Sequence, residues 1–154
     1  MIIICPLLLF DVSDWVALRK SQSEEYCAYF TPFSFEPAVL EKLLREARED
    51  IFMGVWVEES LAGFFMLRGP DSGYPNYMYG VLVGEDFSGR GLGHCTLAVA
   101  KAICLLNSAD LLLKVHPKNT RAIHLYESEG FVQIGISATH DLIYQYQKGM
   151  DHAR

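Results

Sequence analysis

At 154 residues the chain has the size of one domain, and 51% hydrophobic against 21% charged residues is a globular composition that excludes wholesale disorder. The net charge of −6, with 13 basic residues forming no dense block, argues against a nucleic-acid partner, which asks for a basic stripe. Cys5, Cys27, Cys95 and Cys104 form no Cys-x-x-Cys pair and join no zinc pattern, so they read as buried free thiols and no metal is expected.

The first ten residues are apolar, but they lack a basic start and a cleavage site, and Asp11 and Asp14 follow at once. They are also shorter than the roughly 20 residues that span a bilayer. They read as a buried strand over 2–10. No other segment is long enough to cross a membrane, so a cytoplasmic protein without a membrane partner is expected. Ser13 is placed to cap a short helix ending at Arg19, and 21–30 reads as a further helix. Val39, Leu40, Leu43, Leu44 and Ala47 share one helical face, which predicts a helix over 36–50. Residues 51–58 and 61–68 are β-rich runs around Glu59-Ser60 and predict a hairpin. Proline and glycine mark 31–37 and 69–76 as loops. A strand over 77–83 comes next, then a helix over 91–107, apolar on most faces and therefore expected to be buried. A strand over 111–115, a helix over 119–129 and closing strands over 131–137 and 142–147 complete the chain. No repeat or composition break appears. The expectation is one α/β (α+β) domain over 1–150 with a tail at 151–154, with meander-like strands first and a β-α-β unit later.

That unit carries the chemical signals. In Val81-Leu-Val-Gly-Glu-Asp-Phe-Ser-Gly-Arg-Gly-Leu-Gly-His94 a strand ends, and Gly89, Gly91 and Gly93 open a helix. Glycines let backbone N–H groups converge on a ligand, and a helix N-terminus adds donors and partial positive charge. Such a loop suits a pyrophosphate; it equally suits a plain strand-to-helix turn. It is no Walker loop, because no lysine followed by serine or threonine ends it. A Rossmann fingerprint fails too, because the next strand ends in Val115-His116 and not in an acid.

The second signal is Asn119-Thr-Arg-Ala122-Ile-His-Leu-Tyr126-Glu-Ser-Glu-Gly130-Phe131. Asn119 is a good N-cap, Gly130 suits the left-handed residue after a helix, and Phe131 would fold back on Tyr126. Helix punctuation alone explains each of these.

Together the two clusters, about thirty residues apart with a helix and a strand between them, resemble the GNAT superfamily of N-acetyltransferases. The loop looks like its acetyl-CoA motif, and the later stretch looks like its asparagine, alanine, tyrosine and glycine–phenylalanine signature. One departure stands out: Ser88 takes the place of the family's usual arginine or glutamine. The loop's grip should then rest on the backbone of Ser88, Gly89, Arg90, Gly91, Leu92 and Gly93, with the Ser88 hydroxyl as a further contact and Arg90 as the charged member.

The resemblance implies a mostly antiparallel sheet of six to seven strands with flanking helices and a splayed central strand pair. It implies acetyl-CoA as co-substrate and direct attack by an amine. Pantetheine would lie against the backbone of Val81, Leu82 and Val83, next to a bulge at Gly80, and a backbone N–H there would polarise the thioester. Tyr126 would be the catalytic donor to the leaving thiolate, and Asn119 would bind the pantetheine arm or order its helix. No base is assigned. The strand over 77–83 has no carboxylate, Asp71, Glu85 and Asp86 lie on loops, and His116 is a strand-end histidine. The acceptor region would include Tyr26, Tyr29, Phe30, Phe33, Phe35, Tyr74, Tyr77 and Tyr79, with the loop from Arg68 to Tyr74 as a rim. An amino sugar, amino acid or other small primary amine fits it better than a protein tail. Two alternatives stay open: an acyl-CoA-binding module without catalysis, and a protein N-terminal or lysine acetyltransferase. The closing strand 142–147 offers an edge through which a homodimer could form.

Overall fold

The computed structural model describes residues 1–148; the end of the expected domain and the tail at 151–154 lie outside the described residues. Among the described residues seven strands form one sheet: β1 (Ile2–Pro6), β2 (Ile51–Val57), β3 (Ser60–Arg68), β4 (Tyr77–Val83), β5 (Leu111–Val115), β6 (Phe131–Ile136) and β7 (Leu142–Tyr146). Their order in space is β1-β2-β3-β4-β5-β7-β6. The helices are α1 (Val12–Lys20), α2 (Pro37–Glu46), α3 (Leu92–Leu106) and α4 (Thr120–Ser128). Every neighbouring pair is antiparallel except β4 and β5. Parallel neighbours cannot be joined by a tight hairpin, and α3 makes the crossover between them.

The sheet is covered on both faces at its centre. β3 alternates between the two layers: Phe64 and Met66 face α1 and α2, and Phe65 and Leu67 face α3. A strand buried on both sides needs an apolar run and not an alternation, and Leu61 through Leu67 supply it. On the α1/α2 side the fully buried Trp15 packs against Phe33, Phe35, Phe52 and Phe64, with ring centroids 5.0–6.4 Å apart.

Several local expectations are corrected. The first strand ends at Pro6 and is an edge strand with Ile2 and Ile3 exposed, because β2 is its one neighbour. Ser13 does not cap α1; Asp11 holds the N-cap position and accepts the Leu8 N–H. No helix forms over 21–30, where the backbone runs in turns. Ser21 donates to the Leu18 carbonyl and Ser23 accepts the Tyr26 N–H, local bonds that compete with helix formation. The helix expected over 36–50 ends at Glu46, because Ala47 is extended and the N–H groups of Arg48, Glu49 and Asp50 go to the Asp71 carboxylate. α3 is buried along one side only: Cys95, Leu105 and Leu106 are exposed, and Cys5 is half-buried, so the buried thiols are Cys27 and Cys104. β7 is no edge either, since it lies between β5 and β6.

Candidate active site

The central feature is a partial split in the sheet. β4 and β5 pair over Tyr77–Leu111, Met78–Leu112 and Tyr79–Leu113 and then part, so 80–83 has no strand partner on that side among the described residues. The bulge expected at Gly80 is absent: β3 and β4 pair without interruption from Arg68–Met78 to Gly63–Val83. Gly80 is instead closely packed by side chains. A Cβ there would stand 2.6 Å from the end of Met66 and 3.1 Å from the Phe30 ring.

Hydrogen bonds fix which groups face the split. Tyr77 donates its N–H toward β5, to the Asp110 carbonyl, and Gly84 donates toward β3, to Ala62. By the alternation of a strand, Val81 and Val83 turn their polar backbone into the split, while Leu82 pairs with Phe64 of β3. Leu82 is therefore corrected: its backbone is committed to the sheet and its side chain is buried in the aromatic layer. The Val83 carbonyl accepts the Tyr26 hydroxyl at 2.7 Å, which leaves the Val81 groups and the Val83 N–H facing the open space.

β4 leads through a single turn at 85–87 into the glycine loop. Gly89 and Gly91 have φ of +77° and +80°, a region that side chains with a Cβ avoid, and no atom lies within 4 Å of where either Cβ would be. The N–H groups of Gly89, Arg90, Gly91, Leu92 and Gly93 have no hydrogen-bond partner among the described residues. They sit at the N-terminus of α3, an arrangement suited to an anion. Gly93 differs, since its Cβ would press on Leu125 at 3.2 Å and its smallness serves helix packing. The Ser88 hydroxyl donates to the Glu85 carbonyl, and the Arg90 guanidinium lies over the Phe87 ring at 5.2 Å.

α4 borders the same region. Asn119 caps it, its side-chain oxygen accepting the Ala122 N–H at 3.4 Å. Gly130 follows the helix with φ +90°, and Phe131 packs on Tyr126 with centroids 5.8 Å apart. Tyr126 also meets Tyr79 edge to face at 6.3 Å. Its hydroxyl has no hydrogen-bond partner among the described residues, and burial pushes its pKa up to about 12. A phenol in that state keeps its proton at neutral pH and can donate a hydrogen bond. Tyr79, by contrast, is spent on a 2.8 Å bond with Thr96 and is also pushed upward by burial.

The remaining sequence candidates scatter. Phe30, Phe33 and Phe35 pack into the layer around Trp15. Tyr29 stacks on His116 at 4.3 Å, and His116 Nδ1 accepts the Lys118 N–H. Asp71 is not a free base: its carboxylate takes three backbone N–H groups, which outweigh burial and lower its pKa. Glu85 and Asp86 are exposed. Tyr74 and Tyr77 do line a cavity of about 660 Å³ on the α1/α2 face, with a floor of Met66, Met78 and Leu112. Arg68, Gly69 and Ser72, from the loop expected as a rim, line it too, as do Lys114 and Asp50, which sequence reasoning missed. Period-2 alternation could have put Arg68 and Lys114 on one face with Met66 and Leu112, but only strand order shows that those faces coincide.

No curated protein matches the sequence significantly. Among solved structures the chain is similar to a PaiA N-acetyltransferase from Thermoplasma acidophilum in complex with coenzyme A, at 16% identity and a TM-score of 0.80, covering 96% of this chain and 99% of that one. It is similar to an acetyltransferase of the GNAT family from Streptococcus pneumoniae, at 17% identity and a TM-score of 0.71, covering 94% and 96%. The GNAT domain of S. lividans PAT matches at 13% identity and a TM-score of 0.78, covering 93% and 88%. These likenesses establish the fold. A profile described as the Acetyltransferase (GNAT) family matches residues 15–131. With that match over most of the sequence, the chain belongs to the GNAT family of acetyltransferases, enzymes of acyl transfer from coenzyme A.

Proposed function

We propose that the protein transfers an acetyl group from acetyl-CoA to the primary amine of a small molecule by direct attack. The observation that carries this reading is the continuity of unpaired backbone donors: the split beside Val81 and Val83 runs into the open loop of Gly89 and Gly91. A diphosphate with an extended amide-bearing arm is chemically complementary to that series. Gly89, Arg90, Gly91, Leu92 and Gly93 would hold the diphosphate, mainly through N–H groups, while Ser88, whose N–H and hydroxyl both donate to the Glu85 carbonyl, would shape the turn that leads into them. The Val81 and Val83 backbone would hold the arm. Asn119 would act through the helix it caps.

When bound, acetyl-CoA supplies the activated acyl group. The chain's part is to orient and polarise. The Val81 N–H, turned into the split, would stabilise a carbonyl oxygen that gains charge. Tyr126 would donate a hydrogen bond to the departing sulfur; with its pKa near 12 it acts better as a donor than as a full proton source. No base is assigned among the described residues; on this reading the acceptor would be taken up as its neutral amine or give its proton to solvent.

The test follows free thiol released from acetyl-CoA over a panel of small amines. Release on at least one amine supports catalysis, and Tyr126→Phe should lower kcat by about 100-fold. Its hydroxyl bonds to no described residue, so the melting temperature should hold. Binding of coenzyme A without release on any amine would favour a binding module. A melting curve that ignores coenzyme A would sink the reading altogether.

A further inference from the structure

The cavity on the α1/α2 face adjoins the split. The last rung shared by β4 and β5 is Tyr79–Leu113, so Lys114 stands opposite Gly80, where the strands part, and lines the cavity as well. Its ammonium has no partner among the described residues and is exposed. Arg68 enters from the other side. It pairs across β3 and β4 with Met78, which pairs with Leu112 of β5, so Arg68 and Lys114 project from the same face. Strand spacing puts their Cα atoms about 12 Å apart, a distance two long side chains can close from opposite sides of one anion.

Arg68 is held firmly. Its guanidinium lies over Phe33 and Phe52, 5.9 and 5.7 Å from the ring centroids, and its Nε is 3.6 Å from Asp50 Oδ2. Its two terminal nitrogens have no partner among the described residues. Asp50 is the one carboxylate in the lining among the described residues, and it is already committed: Oδ1 accepts the N–H groups of Gly69 and Asp71, and Oδ2 faces Arg68. The lining therefore carries two cations against one carboxylate, a net single positive charge, in a chain whose net charge is −6. Such a cavity repels a polyamine and attracts an anion. A fixed guanidinium with two free parallel donors matches a carboxylate, and Met66, Met78 and Leu112 suit an apolar body between the charged ends.

We propose that the acceptor is an amine that also bears a carboxylate, with Arg68 gripping the carboxylate and Lys114 closing on it from the mouth of the split. The proposal rests on the acetyltransferase reading for its chemistry, but its binding site can be tested apart from turnover. The probes are product-like: N-acetyl-leucine and its uncharged carboxamide, titrated by calorimetry into protein saturated with coenzyme A. The acid should bind at least about tenfold more tightly than the amide. Lys114→Gln, at an exposed position, should fold normally and shrink that ratio. Arg68→Gln should abolish it, and Arg68→Lys should restore it only in part, since it returns the charge but not the fork. Equal binding of acid and amide, or binding of neither, would overturn the proposal whatever the enzyme's activity. Tighter binding of N-acetyl-phosphoethanolamine would overturn the assignment to a carboxylate. Retained acid preference without thiol release on any amine would support this site while removing the catalytic reading. Faster turnover of diamines than of amino acids would do the reverse.

Discussion

Individual residues divide into those whose backbone is needed and those whose side chain is needed. Gly91 belongs to the first group. Its φ of +80° disfavours any Cβ, although nothing nearby would collide with one. Gly91→Val should therefore strain the loop by about 1–2 kcal/mol. The expected outcome is a raised KM for acetyl-CoA with kcat at saturation largely kept, read by steady-state kinetics at several coenzyme concentrations. Equal KM values would mean that the loop does not contact the coenzyme. Gly80 shows the opposite constraint: its φ is unremarkable, and Met66 and Phe30 occupy the space a side chain would need. Tyr126 belongs to the second group on the proposed reading, because its hydroxyl has no partner among the described residues and would be free to meet the departing sulfur.

At the scale of elements, the two helices beside the split are joined by one carboxylate. Glu129, after α4, accepts from His94 at 2.6 Å and from Lys101 at 3.1 Å, both on α3, and its own carbonyl takes a second Lys101 bond at 2.9 Å. Burial pushes the Glu129 pKa up, but the His94 and Lys101 bonds and charges together outweigh it, and the net shift is downward. A carboxylate with a lowered folded pKa adds stability above its ordinary value of about 4.5, and that stability is lost as pH falls through the lowered one. The stability of Glu129→Gln should therefore fall less steeply than that of the native protein below about pH 4.5, with the two profiles converging in acid. Denaturant melts across that range would check it; parallel profiles would show that the contact does not matter energetically.

The whole molecule is held by two apolar layers, and they are not equivalent for function. On the proposed reading, the layer around Trp15 would support the acceptor side, and the layer of Leu97, Ala100, Leu113 and Tyr126 the coenzyme side. Trp15→Ala should cost about 3–5 kcal/mol, a cavity-forming loss at the centre of four aromatic rings. Where the variant remains folded, coenzyme A should still raise its melting temperature, because the donor loop is packed by the other layer. Loss of that response in a folded variant would mean that the layers are coupled.

Taken alone, the sequence determined the features that depend on neighbours in the chain. The positive-φ glycines, the Asn119 cap, the Gly130 turn and the Phe131–Tyr126 contact each arise within a few residues, where local sterics decide. The strand and helix order was legible for the same reason, since a period of 2 or 3.6 is written in consecutive positions. The turns over 21–30 escaped because serine side chains compete with the helix, and the early end of α2 escaped because its donors are claimed by Asp71, more than twenty residues away. Only the tertiary structure decided that Leu82 is turned from the split, that Gly80 is a packing glycine and not a bulge, and that β7 is interior. It alone brought Arg68 and Lys114 to one cavity wall. These outcomes depend on strand register and on which elements become neighbours, and both are settled by the joint packing of the two layers, which no single stretch of sequence contains.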